Sequence, residues 1–262
     1  MNTIRDALSQ QKRVTEIFDD QSDDYAQGYI GKSSQSHSFN MRKKRIYSML
    51  DGIEGSKSLD IGCGPGIMAE YFLNRGSEYY GVDISERMIA ESQKLYGDKP
   101  SAKFSVGRIE NLEYPDETFD VISCMGVVEY IDDDNVALKE LSRVVKRGGT
   151  VIISLPNVYS PYRIWDKRIF TTVKHIIGKI FNIKITPSIN HREYREKVYR
   201  NLMESYGLMV EDVVYYNFKI ILPPLDRYFP KITVAVSRYL ERFCRGRLRW
   251  LATGLIMESK KV

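Results

Sequence analysis

Along residues 51–156, short apolar runs alternate with stretches of helical period, which predicts a strand–helix–strand order. Lys57 to Ile61 reads as a buried strand, followed by a glycine-rich loop and a helix from Ile67 to Asn74. Glu78 to Val82 is a second strand, and Ser85 to Tyr96 a helix that starts on a serine. Ala102 to Val106 is a third strand. Phe119 to Cys124 is a fourth, almost wholly apolar, as a strand covered on both faces must be. A helix from Asp134 to Val145, stopped by Gly148-Gly149, leads to a fifth strand from Thr150 to Leu155. After Pro156 the alternation lapses over 157–190. It resumes with a helix from Glu193 to Tyr206 and strands at Val210 to Phe218 and Gly254 to Lys260.

Such an order argues an α/β fold, a mostly parallel sheet with helices on both faces. Two later stretches carry a different pattern. Over 162–181, Trp165, Ile169, Phe170, Val173, Ile176, Ile177, Ile180 and Phe181 fall on one side of a helix. Arg163, Lys167, Arg168, Lys174, His175 and Lys179 fall on the other. From Ile232 to Leu251 the pattern recurs, with Val236, Leu240, Phe243 and Trp250 opposite Arg238, Arg242, Arg245 and Arg249, and with Gly246 as a break. Amphipathic helices with basic polar faces suit either a cap over a pocket or an anionic membrane surface.

Composition narrows the classes. With 43% apolar residues the 262-residue chain is globular, and no apolar run approaches a spanning helix. Residues 1–14 lack the apolar stretch of a secretory signal. Three cysteines, widely spaced, make no disulfide framework or metal quartet, so a reduced, cytoplasmic protein is expected. No two of the three histidines stand at ligand spacing, and no metal site is expected. The net charge of +5 is unevenly spread: residues 51–156 carry 19 acidic and 11 basic side chains, residues 157–262 carry 9 and 20. A basic half of this kind meets an anionic substrate, a membrane surface or nucleic acid, or is simply a solvated face. No nucleic-acid module is visible, and none is expected to bind.

The sharpest motif is Leu59-Asp60-Ile61-Gly62-Cys63-Gly64-Pro65-Gly66, a strand running into a glycine loop before a helix. Glycines there allow a tight turn and let a ligand approach the main chain. The third glycine, Gly66, stands two residues after Gly64, where the dinucleotide fingerprint wants three. Gly81-Val82-Asp83 closes the next strand with a carboxylate able to accept from both hydroxyls of a ribose.

Leu59 to Gly66, Gly81 to Ser85, Phe119 to Ile122 and Leu141 to Gly149, in this order and spacing, resemble the S-adenosylmethionine-dependent methyltransferases with a Rossmann-like fold, the small-molecule enzymes of ubiquinone and menaquinone biosynthesis among them. The resemblance implies a seven-stranded sheet with its last strand antiparallel, a helical cap insertion, and S-adenosylmethionine as cofactor. Asp60, Gly62, Cys63, Gly64 and Gly66 would line the methionine end, with Asp60 facing the ammonium. Asp83 would hold the ribose, with Ile84 and Met88 against the adenine. Ile109 and Glu110 occupy the adenine loop, where Arg108 replaces the usual carboxylate and either stacks on the ring or points to solvent. Cys124 and Met125 would pass the sulfonium; Cys124 equally reads as a packed core residue. In the leader, Tyr25 and Tyr29 would cover the cofactor and Arg42 pair with its carboxylate, unless Arg42 is one of four basic residues on a solvated helix.

For the reaction, the resemblance implies in-line displacement onto a small, apolar or aromatic acceptor, most readily at oxygen. Glu129-Tyr130 stands where many O-methylating relatives have Glu-His, so Tyr130 is a candidate catalytic or wall residue. His191 and His37 are the candidate histidines, both in segments that cap the site in relatives. The expected organisation is a leader or lid over 1–50, a cofactor-binding core over 51–156, a helical cap over 157–190, and completion of the sheet over 191–262. Methylation at nitrogen or carbon, a membrane-peripheral lipid or quinone enzyme, and a cofactor-binding scaffold without turnover are the alternatives.

Overall fold

A computed structural model describes residues 12–20, 34–52, 57–180 and 191–262. Tyr25, Tyr29 and Phe181 lie outside the described residues. A helix at 12–20 and a second over Ser34–Leu50 precede a seven-stranded sheet. Its strands are β1 Lys57–Ile61, β2 Glu78–Asp83, β3 Ala102–Val106, β4 Phe119–Met125, β5 Val145–Pro156, β6 Leu208–Phe218 and β7 Ala252–Lys261. They lie in the order β3-β2-β1-β4-β5-β7-β6. β1 to β5 pair in parallel, and β7 runs antiparallel to both β5 and β6.

The helices between strands form where local caps and apolar spacing agree. Ser85 opens Glu86–Tyr96 by accepting from the Met88 amide at 3.1 Å, and the helix buries Met88 and Ile89 against the sheet. Asp133 accepts from the Asn135 amide at 2.8 Å and opens Asp134–Val144, whose Ala137, Leu138, Leu141 and Val144 are buried. The first helix after the glycine loop is shorter than its pattern predicts, Ala69–Leu73, because residues 62–68 are consumed by turns.

Two boundaries differ from the sequence reading for a physical reason. The helix before β5 ends at Val144, and Val145 is already extended, its ψ at 140°. Gly148-Gly149 therefore does not stop the helix. It lies inside β5, where Gly148 takes a φ of +74°, near the register shift between Phe119 and Val121. The stretch from Ile232 to Leu251 is likewise not one helix. It is helical over Pro230–Leu240, gives way to a 3-10 turn at Glu241–Phe243 before Gly246 is reached, and ends in a second 3-10 turn at Arg249–Leu251.

Residues 161–180 follow one helical path, Pro161–Trp165, a π turn over Asp166–Phe170, and Thr171–Ile180. Its apolar side is not covered by the described residues: Val173, Ile176 and Ile177 are exposed, and Ile180 is 70% accessible. Among the described residues no helix is long and apolar enough to cross a membrane. The helix Ser34–Leu50 packs on β6 and β7 through buried Ile46, Met49 and Leu50. Arg45 fastens it by donating to Glu241 Oε2 at 2.9 Å.

Candidate active site

The strand order reverses between β1 and β4, which opens a crevice at the carboxyl ends of the parallel strands. The glycine loop crosses it. Gly62, Gly64 and Gly66 have φ values of +70°, +52° and +81°, a region that a side chain disfavours. The amides of Gly62 and Cys63 both donate to the Val82 carbonyl, at 2.7 and 3.1 Å, which ties the loop to the end of β2. A Cβ at Gly62 would stand 2.2 Å from Val127 Cγ2, and one at Gly66 would meet the Tyr96 ring at 3.0 Å. Gly62 is thus needed for the wall of the crevice, and Gly66 for seating the loop on the helix Glu86–Tyr96.

Asp83, at the end of β2, is almost completely buried. Its Oδ2 accepts from the Gly64 amide at 2.8 Å and its Oδ1 from the Ser85 amide at 2.9 Å. Burial raises its pKa, and the amides of Ser85, Gly64 and Ile84 pull it back toward the ionised form. Both oxygens are thereby oriented while each keeps capacity for a further donor.

Two cavities lie side by side here. The first is mostly apolar and encloses about 740 Å³, its open mouth included; Gly62, Gly64, Asp83, Ile84, Met88, Ile109, Glu110 and Met125 all line it. Arg108 stands at its wall and pairs with Glu110 at 3.2 Å. Val14 and Phe18 of the leading helix close it from above. That helix is held by a short bond from Ser85 Oγ to Asp19 Oδ1, 2.5 Å, and by Arg87 donating to the Asp19 carbonyl. The second cavity is bounded by Phe39, Arg42, Glu129, Arg163, His191, Tyr216 and Asn217 among others. Phe18, Gly126 and Tyr130 belong to both.

Other sequence-predicted residues lie elsewhere. Asp60 does not face the first cavity. It is fully buried beneath the loop, accepting from the Tyr79 hydroxyl at 2.8 Å and the Ser123 hydroxyl at 2.6 Å. Burial lifts its pKa to about 6 despite these two donors. Cys63, Gly66 and Cys124 also line neither cavity, and burial drives both thiols upward. Arg42 borders the second cavity rather than the first, with its Nη1 2.6 Å from where a Gly126 Cβ would stand. His37 lines neither, its Nε2 standing 3.1 Å from Ser237 Oγ. Burial lowers its pKa, with Arg238 and Lys219 adding to the effect. Tyr130 and His191 do meet, ring to ring at 6.3 Å, and the Phe18 ring stands 5.5 Å from Tyr130. Tyr25 lies outside the described residues.

The residue that sequence reasoning passed over is Glu129. It is buried, and its Oε2 has no hydrogen-bond partner among the described residues. Burial raises its pKa, and the Arg42 and Arg163 charges counter this in part. The signals for it were its place in the Glu129-Tyr130 pair and a carboxylate between apolar Val128 and Tyr130, just past a buried strand. Arg163, Tyr216 and Asn217 gave no such signal, since they reach the cavity from segments far along the chain. The second cavity is also more polar than the count of tyrosines suggests.

Residues 59–153 match a family model described as "Methyltransferase domain". That stretch of the chain is similar to a methyltransferase domain. The chain is 33% identical over 131 residues to a ubiquinone biosynthesis O-methyltransferase of Alkalilimnicola ehrlichii, spanning 48% of this chain and 53% of that protein. To the protein of the same name from Pseudomonas fluorescens it is 29% identical over 184 residues, spanning 68% and 73%. The chain thus spans about half of one such relative and about three quarters of the other. The fold is shared with magnesium protoporphyrin IX methyltransferase from Synechocystis, solved with bound S-adenosylhomocysteine; the TM-score is 0.60 at 16% identity, over 96% of this chain and 99% of that one. The matched methyltransferase domain contains every residue that the first cavity takes from the sheet and its loops. Pro156, Arg163, His191, Tyr216 and Asn217 of the second cavity all come from beyond it.

Proposed function

We propose that the chain transfers the methyl group of S-adenosylmethionine to an oxygen of a small aromatic acceptor seated in the second cavity. The observation that carries this reading is the shared wall: two cavities meet at Phe18, Gly126 and Tyr130, one walled by the glycine loop and the other by polar side chains. The residues of the first cavity fit the cofactor. Asp83 offers two oriented oxygens to a ribose, Ile84, Met88 and Ile109 give an apolar slot for a purine, and the left-handed glycines clear the approach. When bound, S-adenosylmethionine supplies a methyl group activated on a sulfonium.

The chain's own residues then do the rest. Phe18 and Tyr130, packed edge to face, keep water from the shared wall, which strengthens charge interactions within the site. Burial, with the Glu129 charge beside it, holds the Tyr130 phenol well above its ordinary value, so Tyr130 serves as a wall and a hydrogen-bond donor rather than a base. Glu129 is the base: a carboxylate with a raised pKa and a buried oxygen open to a donor takes the proton of an acceptor hydroxyl. His191 packs against Tyr130 and orients the acceptor. Oxygen is favoured over nitrogen or carbon by this base and by the names of the two relatives reported above, both O-methyltransferases.

The exposed apolar and basic residues of Thr171–Ile180 support a second element of the reading, peripheral contact with an anionic membrane that does not alter the chemistry. The reaction is tested by Glu129→Gln, assayed with labelled cofactor on a responsive phenolic acceptor. The substitution should lower kcat about a hundredfold with S-adenosylhomocysteine affinity unchanged. An unaltered kcat would remove Glu129 from the chemistry, and absence of cofactor binding by the native chain would favour the scaffold alternative.

A further inference from the structure

Glu241 is a buried carboxylate that the proposed reaction does not use. It opens the 3-10 turn after the helix Pro230–Leu240 and lines neither cavity. Its two oxygens are divided between different parts of the fold. Oε1 accepts from the Asn217 amide at 2.7 Å, and Oε2 from Arg45 Nη2 at 2.9 Å. The same Nη2 donates to the Glu241 carbonyl at 2.8 Å. Hydrogen bonds that carry a charge on both partners are the strong and directional ones, so the Arg45–Glu241 pair has a defined geometry.

Each end of this clamp belongs to a different wall of the second cavity. On one side the helix Ser34–Leu50 supplies Ser38, Phe39 and Arg42. Arg45 follows Arg42 by three residues, on the same face of the helix. Buried Ile46, Met49 and Leu50 give this helix its adhesion to the sheet, but apolar contact is non-directional and does not set its rotation. Anchoring Arg45 does, and with it the direction in which the turn carrying Arg42 faces.

On the other side stand Tyr216 and Asn217 of β6 and Thr253 of β7. Asn217 has a φ of +61°, a region that residues other than glycine seldom take. The register pairs Tyr216 with Gly254 and Phe218 with Ala252, and passes over Asn217 between them. Its amide donates to Glu241 instead, and its Nδ2 donates to Thr253 Oγ1 at 2.6 Å. Such a conformation persists only where its surroundings hold it, and residues held in this way gather at ligand sites.

Resting on the reading of the second cavity as the acceptor site, we propose that Glu241 is a positioning residue of the reaction, whose carboxylate sets the width of that cavity by gripping Arg45 with one oxygen and Asn217 with the other. It governs how closely the acceptor is seated, and leaves cofactor binding and the transfer step to the residues that line the cavities.

The test uses the full chain, with catechol as the probe acceptor and labelled S-adenosylmethionine. Glu241→Gln keeps the shape of the side chain and removes the charge that holds Arg45. The KM for catechol should rise about tenfold, with kcat changed by less than about twofold and S-adenosylhomocysteine affinity unchanged. Arg45→Gln should act in the same direction, and the double variant should be no worse than the more affected single one, because both substitutions open the same clamp. Hydrogen exchange at the Asn217 amide should quicken in Glu241→Gln while that at the Gly64 amide does not. A loss of stability with the catechol KM unchanged, a matching loss of S-adenosylhomocysteine affinity, or additive effects in the double variant would overturn the proposal. Failure of the native chain to bind S-adenosylhomocysteine or to methylate catechol would instead strike the reading on which it rests.

Discussion

Two buried carboxylates one strand apart behave differently because of what donates to them. Asp83 is held by backbone amides, and Asp60 by two hydroxyls. Asp83→Ala strands the amides of Gly64 and Ser85 and removes the proposed ribose contact. S-adenosylhomocysteine affinity should fall at least about tenfold, with the circular dichroism of the folded chain retained. Asp60 tests the other environment. Its folded pKa, about 6, lies above the value of an unfolded aspartate, so the folded chain binds the proton more tightly. The stability this contributes is full below the unfolded value and is lost as pH rises through about 6. Between pH 5 and 7 the native chain should therefore lose about 1 kcal/mol that Asp60→Asn does not lose, measured by urea unfolding of both at the two pH values. The glycine loop and Asp83 were legible from the sequence because a left-handed turn and a strand-end carboxylate leave local marks. The burial of Asp60 was not: its partners Tyr79 and Ser123 come from the two neighbouring strands, and their convergence is a property of the sheet.

At the level of elements, the apolar pattern located all seven strands: β4 and the second half of β5 as unbroken buried runs, and the partly exposed β3 by its place between a helix and a polar loop. Boundaries were less legible where two signals compete. Gly148-Gly149 has the composition of a helix stop, yet the chain becomes extended at Val145 because that residue already pairs with Phe119. The amphipathic pattern of 162–181 is helical over its described part, through Ile180, but periodicity alone does not say what covers an apolar face. Val173, Ile176, Ile177 and Ile180 are exposed next to Lys174 and Lys179. If this helix is the proposed membrane contact, the chain should pellet with vesicles of phosphatidylglycerol and not of phosphatidylcholine. Charge reversal at Lys167, Lys174 and Lys179 together should abolish pelleting without changing S-adenosylhomocysteine affinity.

Across the whole molecule, the site is assembled from opposite ends of the chain. The helix at 12–20 supplies Val14 and Phe18, and is pinned to the start of Glu86–Tyr96 through Asp19 and Ser85. If this helix is the lid that the resemblance implies, bound S-adenosylhomocysteine should protect exposed Lys12 and Arg13 from trypsin. Asp19→Ala should lose most of that protection. From the other end come Tyr216 and Asn217, at the finish of β6, which joins the sheet through β7 alone. On a ribosome, β6 therefore emerges before the strand that gives it a neighbour, and its pairing partners wait until the chain has been made through Lys261. The β1 to β4 half has all its strands much earlier and pairs in order of crossover. The wall that the proposed acceptor cavity takes from Tyr216, Asn217 and Thr253 is thus the last part of the site to be synthesised.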